Sequence, residues 1–328
     1  MDIETEQNSN FEDCSDYQGN LLRPQHISEY IGQEQLKERV AISIDASKKL
    51  GNSVSHMLFY GPPGLGKTTI SSLIAKTRGV GFRSMAAPSI KVAGDLVSVL
   101  VTLQKNDVLF IDEIHRLPTF VEEMLYSAME DFFITIPGNE NNGGEPIKLT
   151  LDPFTLIGAT TRPGMISNPL KDRFGIQAKL EYYTVEELSI IIKHAANKIG
   201  FDITPTSCEI VSKRSRGTPR IALRLMRLLY DYHLSKNIDL NSENEVNDVL
   251  TIMSNVDEGG MTESEIRYMT LLHTHGKLGL KSLASMLSED EQYIVDSFEP
   301  YLMQNEFVMI TSRGRELTEK GTQYILSK

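Results

Sequence analysis

One stretch constrains this chain more than any other: Gly61-Pro62-Pro63-Gly64-Leu65-Gly66-Lys67-Thr68. It fits G-x-x-x-x-G-K-[ST], the pattern of a phosphate-binding loop. Glycines let the backbone curl until several N–H groups point at one anion. A lysine at this spacing reaches the β- and γ-phosphates, and the hydroxyl of Thr68 can hold Mg²⁺. The flanks agree. Ser55 to Tyr60 reads as a strand, and Thr69 to Lys76 as the helix whose N-terminus receives the phosphate. A chance glycine-rich turn would have neither flank.

At 328 residues the chain exceeds one typical core, so two or three domains are expected. No apolar run approaches the ~20 residues that span a bilayer. The first twenty residues hold six acids and no Lys or Arg, unlike a secretory leader. Cys14 and Cys208 are too few for a disulfide framework or a zinc site. These features predict a cytoplasmic protein with no membrane partner. The net charge of −11 argues against coating nucleic acid broadly, while leaving room for a local basic track.

Residues 1–20 read as a mobile acidic tail, with a partner-binding segment as the other reading. A helix is expected from Gln33 to Leu50, a short strand from Gly81 to Met85 and a helix from Asp95 to Leu103. Asp107 to Ile111 is a short apolar run suited to a strand buried on both faces of a parallel sheet. It ends in Asp112-Glu113, where an α/β sheet places its chemistry. Asp112 can order the Mg²⁺ shell and Glu113 can polarise the attacking water. After a helix from Phe120 to Asp131, two alternating runs flank an Asn/Gly-rich loop, which predicts a protruding hairpin over 132–151. Ile134, Ile136, Ile147 and Leu149 could share one apolar face, either exposed for docking or packed. The buried run from Phe154 to Ala159 delivers Thr160 and Thr161 beside the acidic strand end. Arg173 follows, a candidate arginine finger.

From Thr184 the pattern turns helical, with helices at Val185–Lys198, Pro205–Arg214, Thr218–Ser235 and Glu243–Met253. Arg220 stands at a helix start, where cations are disfavoured unless an anion lies near. After a linker at Val256 to Gly260 come helices at Glu263–His273, Leu280–Leu287 and Glu291–Gln304. Two short strands then flank Ser312-Arg313-Gly314-Arg315. Three helices and a two-stranded wing read as a winged helix, with basic residues at the wing tip as nucleic-acid contacts. Yet residues 256–328 hold seven Lys/Arg against twelve Asp/Glu, a net charge of −5, so a protein-binding winged helix also fits.

Several stretches together carry a resemblance over Leu21 to Lys328. They are Leu22-Arg23-Pro24, the phosphate loop followed by Thr69, Asp107 to Leu117, Ala128-Met129-Glu130-Asp131-Phe132 and Gly158 to Gly164. Asp172-Arg173-Phe174-Gly175, Arg216-Gly217-Thr218-Pro219-Arg220 and Glu299-Pro300-Tyr301-Leu302 complete the set. The chain resembles the RuvB family, AAA+ motors that drive Holliday-junction branch migration with RuvA. The resemblance implies that Leu22, Arg23 and Tyr183 line the adenine side, while Gly64, Gly66, Lys67, Thr68 and Thr69 hold phosphates and Mg²⁺. It places Glu130, Asp131 and Phe132 by the nucleotide. Thr161, with Thr160 beside it, becomes sensor 1; Arg173 a finger offered to a neighbouring subunit; Arg220 sensor 2. The hairpin would dock on RuvA through Ile147 and Leu149. The chain departs from the family at the DNA-binding end. Glu291 stands where an Arg is usual, and Ile310-Thr311-Ser312 replaces Arg-Thr-Pro ahead of the retained Arg313 and Arg315. Ser84-Met85-Ala86-Ala87-Pro88 replaces a more usual Thr-Ser-Gly-Pro.

The reading is an α/β protein: a AAA+ P-loop NTPase core over 21–183, a helical lid over 184–255 and a C-terminal winged helix over 256–328. Its expected work is ATP-driven movement of double-stranded DNA at Holliday junctions, as a homo-hexamer with a RuvA-type partner. A protein-remodelling ATPase gripping through the hairpin, or a nucleotide-switched scaffold of the clamp-loader kind, would use the same fold. Stimulation by protein instead of DNA marks the first, and weak steady-state turnover the second.

Overall fold

The computed structural model describes residues 22–136, 146–236 and 242–328; the acidic tail and the hairpin loop at 137–145 lie outside the described residues. The chain forms two compact units, one reaching to Glu187 and including Asn197–Gly200, the other made of Leu188–Ala196 and Phe201–Lys328.

The first unit runs α1 (Glu34–Leu50), β1 (Met57–Tyr60), α2 (Lys67–Arg78), β2 (Phe82–Ala86), α3 (Ala93–Leu100), β3 (Val108–Asp112) and α4 (Thr119–Glu130). It continues with β4 (Phe133–Ile136), β5 (Ile147–Thr150), β6 (Thr155–Thr160), α5 (Asn168–Asp172) and β7 (Ile176–Lys179). Five strands make one parallel sheet in the order β2-β3-β6-β1-β7. The neighbouring interior strands β3 and β6 are buried along almost their whole length because helices cover both faces: Val108 to Ile111 and all of β6 are buried. Against them α2 buries Ile70, Leu73 and Ile74, and α4 buries Val121, Leu125 and Ala128. Strand β7, not expected from the sequence, is a four-residue edge strand in which only Ile176 and Ala178 are buried. Two apolar positions are too few to announce a strand; pairing with β1 makes one.

The apolar face of the hairpin is packed at one end and exposed at the other. Its register sets Ile134 opposite Leu149 and Ile136 opposite Ile147. At the base Ile134 is buried and Leu149 packs against the core of the sheet. Towards the tip Ile147 is exposed.

The second unit takes in most of α6 (Val185–Lys198), then α7 (Pro205–Arg214), α8 (Pro219–Lys236) and α9 (Glu243–Ser254). Next come α10 (Glu263–His275), α11 (Leu280–Leu287), α12 (Glu291–Tyr293), a π-helical stretch Ile294–Phe298 and α13 (Glu299–Gln304). The wing strands β8 (Val308–Thr311) and β9 (Gly314–Leu317) pair antiparallel, and α14 (Glu319–Leu326) closes the chain. The single helix expected at 291–304 is therefore interrupted. Pro300 has no N–H to give the helical ladder, and a widened turn directly before it is the accommodation. The closing helix was not legible because Gly321 lies in its first turn. Thr318 starts it by capping the Gly321 N–H.

Two arginines stitch this unit together. Arg214 is buried, donating to Asn247 Oδ1 (2.8 Å), Thr251 Oγ1 and the carbonyl of Val256. Arg216 donates to Gly260 O at 2.7 Å and grips both oxygens of Glu265, which is buried on α10. Its guanidinium lies 4.7 Å from the Tyr301 ring centroid. The turn between α7 and α8 is thus bound to the linker and to the winged helix.

Candidate nucleotide site

The phosphate loop leaves β1 through Gly61 (φ +140°) and enters α2 through Gly66 (φ +96°). At both, side chains are excluded by space as well as by backbone angle. A Cβ on Gly61 would lie 2.8 Å from the Leu180 carbonyl, and one on Gly66 2.7 Å from the Tyr30 hydroxyl. The loop is braced from below: Tyr30 Oη donates to Leu65 O at 3.3 Å, and Tyr183 Oη lies 3.3 Å from the same carbonyl and 3.2 Å from Tyr30 Oη. Burial drives the Tyr30 phenol well above its ordinary pKa and keeps it a donor. Lys67 is mostly buried, its ammonium donating to Gly61 O (2.8 Å) and Pro62 O (2.9 Å). It lies across the loop, next to the amides that open α2. Thr68 and Thr69 follow in the first turn of that helix.

The segment from Leu22 is tied to the same place. The Gln33 side chain donates to Glu181 O at 2.6 Å and accepts from Glu181 N at 3.1 Å, two residues before Tyr183. Leu22 is half-buried and Arg23 exposed, with the Arg23 carbonyl held by Lys198 Nζ at 2.8 Å. Tyr30 and Gln33 were not singled out from sequence. Only their place between Leu22-Arg23 and the phosphate loop pointed towards them.

Because β6 lies between β1 and β3, the ends of all three strands meet beside the loop. Asp112 accepts the Glu113 N–H at 3.0 Å. Glu113 has left-handed backbone (φ +50°), which turns its side chain towards the end of β6. There its Oε2 accepts from the Thr161 hydroxyl at 3.1 Å and the Thr161 N–H at 3.3 Å. His115 Nδ1 lies 3.1 Å from the same oxygen and 2.9 Å from Thr160 Oγ1. Burial lowers the His115 pKa against the opposing pull of Glu113, so the imidazole is neutral at pH 7. His115 was also missed, although it lies two residues beyond Glu113 in the motif.

Arg173 and Glu130 come together. The Arg173 guanidinium stacks on Tyr126 (4.4 Å), pairs with Glu130 at 3.3 Å and donates to Pro169 O at 2.7 Å. Its Nε is buried with no hydrogen-bond partner among the described residues. Asp131 caps α4 and is exposed. Phe132 sets its ring edge-on to Phe154 at 6.0 Å, joining the core beside the sheet.

In the second unit Arg220 is exposed at the start of α8. Arg313 is exposed at the wing tip, and Ile310 near it is 47% exposed, an apolar side chain where the family resemblance implies a cation. Arg315 is not free in the same way. Its Nε donates to Glu299 Oε1 at 2.7 Å and its NH2 to Oε2 at 3.2 Å, and Glu299 also accepts from Tyr268. Arg315 thus braces the wing against a buried carboxylate. Glu291 sits in the first turn of α12, where an acid complements the helix dipole and an arginine would not.

A parallel sheet with its phosphate loop after β1, acids ending β3, threonines ending the strand between them, a helical lid and a winged helix define a AAA+ P-loop ATPase. Profiles described as the Holliday junction DNA helicase RuvB P-loop domain, the RuvB AAA lid domain and the RuvB C-terminal winged helix domain match residues 22–180, 183–257 and 258–326. The Holliday junction branch migration complex subunit RuvB of Helicobacter acinonychis is 48% identical over 301 residues, covering 91% of this chain and 89% of the relative. That of Ehrlichia ruminantium is 44% identical over 315 residues, covering 95% of each. The solved Thermotoga maritima RuvB Holliday junction branch migration motor superposes with a TM-score of 0.81 at 39% identity, covering 93% of this chain and 98% of that one. The chain belongs to the RuvB family, the nucleotide-binding ATPases of Holliday-junction branch migration.

Proposed function

We propose that this chain hydrolyses ATP with Mg²⁺ to drive double-stranded DNA through a homo-hexameric ring in the cytoplasm, at junctions presented by a RuvA-type partner. The observation that carries the reading is the Glu113 carboxylate held by Thr161 at the joined ends of β3 and β6, beside the phosphate loop. Lys67, Gly64, Gly66 and Thr69 bind the phosphates. Thr68 and Asp112 would hold Mg²⁺, a hydroxyl and one carboxylate being the usual small protein share of its octahedron, and the ion would neutralise phosphate charge. The donor chemistry fits the ion, since a hydroxyl and a carboxylate are the hard oxygen ligands it takes. Glu113 orients and polarises the attacking water while Thr161 senses the γ-phosphate. Leu22, Arg23 and Tyr183 shape the adenine side.

Arg173 serves as the finger offered to a neighbouring subunit. Its stacking on Tyr126 and pairing with Glu130 is a parked position, and Glu130, Asp131 and Phe132 lie by the nucleotide. Arg220 reports nucleotide to the lid. Through the Arg216–Glu265 pair the lid turn carries the winged helix with it. On that domain Arg313 is the wing's phosphate contact. Arg315 supports the wing and has only the remaining edge of its guanidinium to offer. Together with the net charge of −5, this makes DNA engagement depend on the partner. The partner docks at the exposed end of the hairpin through Ile147, with Leu149 holding the base of that surface.

The test is Glu113→Gln. The amide is nearly isosteric and can still accept a hydrogen bond, but it is a far weaker acceptor from water. Nucleotide affinity by fluorescence titration should stay within about twofold, while steady-state turnover falls by about a hundredfold or more. Unimpaired turnover would remove Glu113 from this role.

A further inference from the structure

We propose that Tyr126 is a positioning residue for Arg173, its ring setting the plane in which the guanidinium is offered to a neighbouring subunit; this rests on the reading of Arg173 as a finger given above. Tyr126 lies on α4, whereas Arg173 closes the five-residue helix α5. The guanidinium carbon is 4.4 Å from the ring centroid, within cation–π range. Its other holds do not fix a plane. NH1 donates to Pro169 O at 2.7 Å, and NH2 is 3.3 Å from a Glu130 carboxylate that is 56% exposed. The buried Nε has no acceptor among the described residues. A guanidinium is oriented by a fork of hydrogen bonds to one acceptor or by a flat face to stack on. Here the flat face does it.

The ring is itself tied to the helix that carries Arg173. Tyr126 Oη donates to Glu122 Oε1 at 3.0 Å, one turn back on α4, and the Ser167 hydroxyl donates to the same oxygen. The two hydroxyl oxygens lie 3.1 Å apart. Ser167 is also the N-cap of α5, accepting the Leu170 N–H at 3.3 Å. One carboxylate thus joins the phenol to the start of the helix whose end is Arg173, so ring and guanidinium keep register. Glu130 is the replaceable partner: it is exposed, and a phosphate oxygen of the next subunit's nucleotide offers the same charge. The ring competes with neither anion and stays against the guanidinium as one replaces the other. A partly desolvated stack of this kind is worth about tenfold in rate when it acts only on orientation.

The experiment compares Tyr126→Leu, which removes the ring, with Tyr126→Phe, which keeps it. Turnover and the Michaelis constant for ATP are measured on the full chain with a RuvA-type partner and junction DNA present. Tyr126→Leu should lower kcat about tenfold at an unchanged Michaelis constant, and Tyr126→Phe should recover most of that loss. In the Arg173→Ala background, Tyr126→Leu should change the residual rate little, because the group it positions is gone. Mixed rings then separate positioning of the finger from packing within the subunit. Tyr126→Leu chains mixed with Lys67→Ala chains should gain turnover severalfold, because the Lys67→Ala chain supplies an intact finger to an intact site. Mixed with Arg173→Ala chains they should gain nothing. Equal rates for Leu and native chains would overturn the inference, as would a Phe variant no better than Leu. So would a Tyr126→Leu defect that Lys67→Ala chains do not relieve while they relieve that of Arg173→Ala, since Tyr126 would then act on its own subunit. If Arg173→Ala were not relieved either, the finger reading would fail first, and this inference with it.

Discussion

His56 shows how much a single side chain can be asked to do. It opens β1, and its ring joins three parts of the sheet domain: Nδ1 accepts the Leu156 N–H at 2.8 Å, and Nε2 lies 3.1 Å from Met129 O. An Nδ1 that accepts leaves the proton on Nε2, which donates to the carbonyl at the end of α4. Burial lowers the pKa below the ordinary imidazole value of 6.5, outweighing that carbonyl. The sign follows. The folded state sheds the proton that the unfolded chain keeps, so this contribution to stability is complete above pH 6.5 and declines as pH falls through the folded value. The unfolding midpoint should drop between pH 7 and pH 5, and His56→Asn, which does not titrate there, should be less stable at pH 7 but show a flatter profile. Equal slopes in native and variant chains would show that His56 does not carry the effect.

At the scale of elements, the wing is an ion pair as much as a hairpin. Arg315 and Glu299 are 15% and 1% exposed at the side chain, and Tyr268 caps the same carboxylate. Removing one partner of a buried pair strands the other, at a cost of about 3–5 kcal/mol. Arg315→Ala should therefore lower the unfolding temperature of the winged helix, and Arg315→Leu with Glu299→Leu should restore part of it. An Arg315→Ala variant that unfolds like the native chain and loses only DNA affinity would mean the pair contributes little. The sequence led to the wing and to both arginines, but not to this pairing, because Glu299 lies sixteen residues away on another element. The same limit runs through the site. Glycine spacing, apolar runs and strand-end acids are local signals, so the loop, β3, β6 and most helices were legible. Tyr30 under Leu65, Arg173 on Tyr126, Arg216 on Glu265 and β7 on β1 are made by chain segments meeting in space, and no local pattern announces them.

At the scale of the whole molecule, a motor of this family is a question of which residues act within a subunit and which act on the next. Arg173 belongs to the second group in this account, its parked position on Glu130 being the resting one. Fingers are worth about 10³–10⁵ in rate in the GTPase examples. Arg173→Ala and Lys67→Ala chains should each be nearly inactive alone and recover measurable turnover when mixed, because some interfaces then pair an intact loop with an intact finger. Absence of recovery in rings shown to be mixed would place Arg173 in its own subunit's site. The account as a whole stands on coupling hydrolysis at the β3–β6 end to movement of DNA. The most direct measurement is dissociation of a synthetic four-way junction by the full chain and ATP, with and without a RuvA-type partner, using Glu113→Gln as the control. The account predicts rapid junction dissociation by the native chain with the partner, little without it, and none by Glu113→Gln despite retained nucleotide binding. Junction dissociation by Glu113→Gln at the native rate would contradict it, as would a native chain that hydrolyses ATP with the partner present and leaves the junction intact.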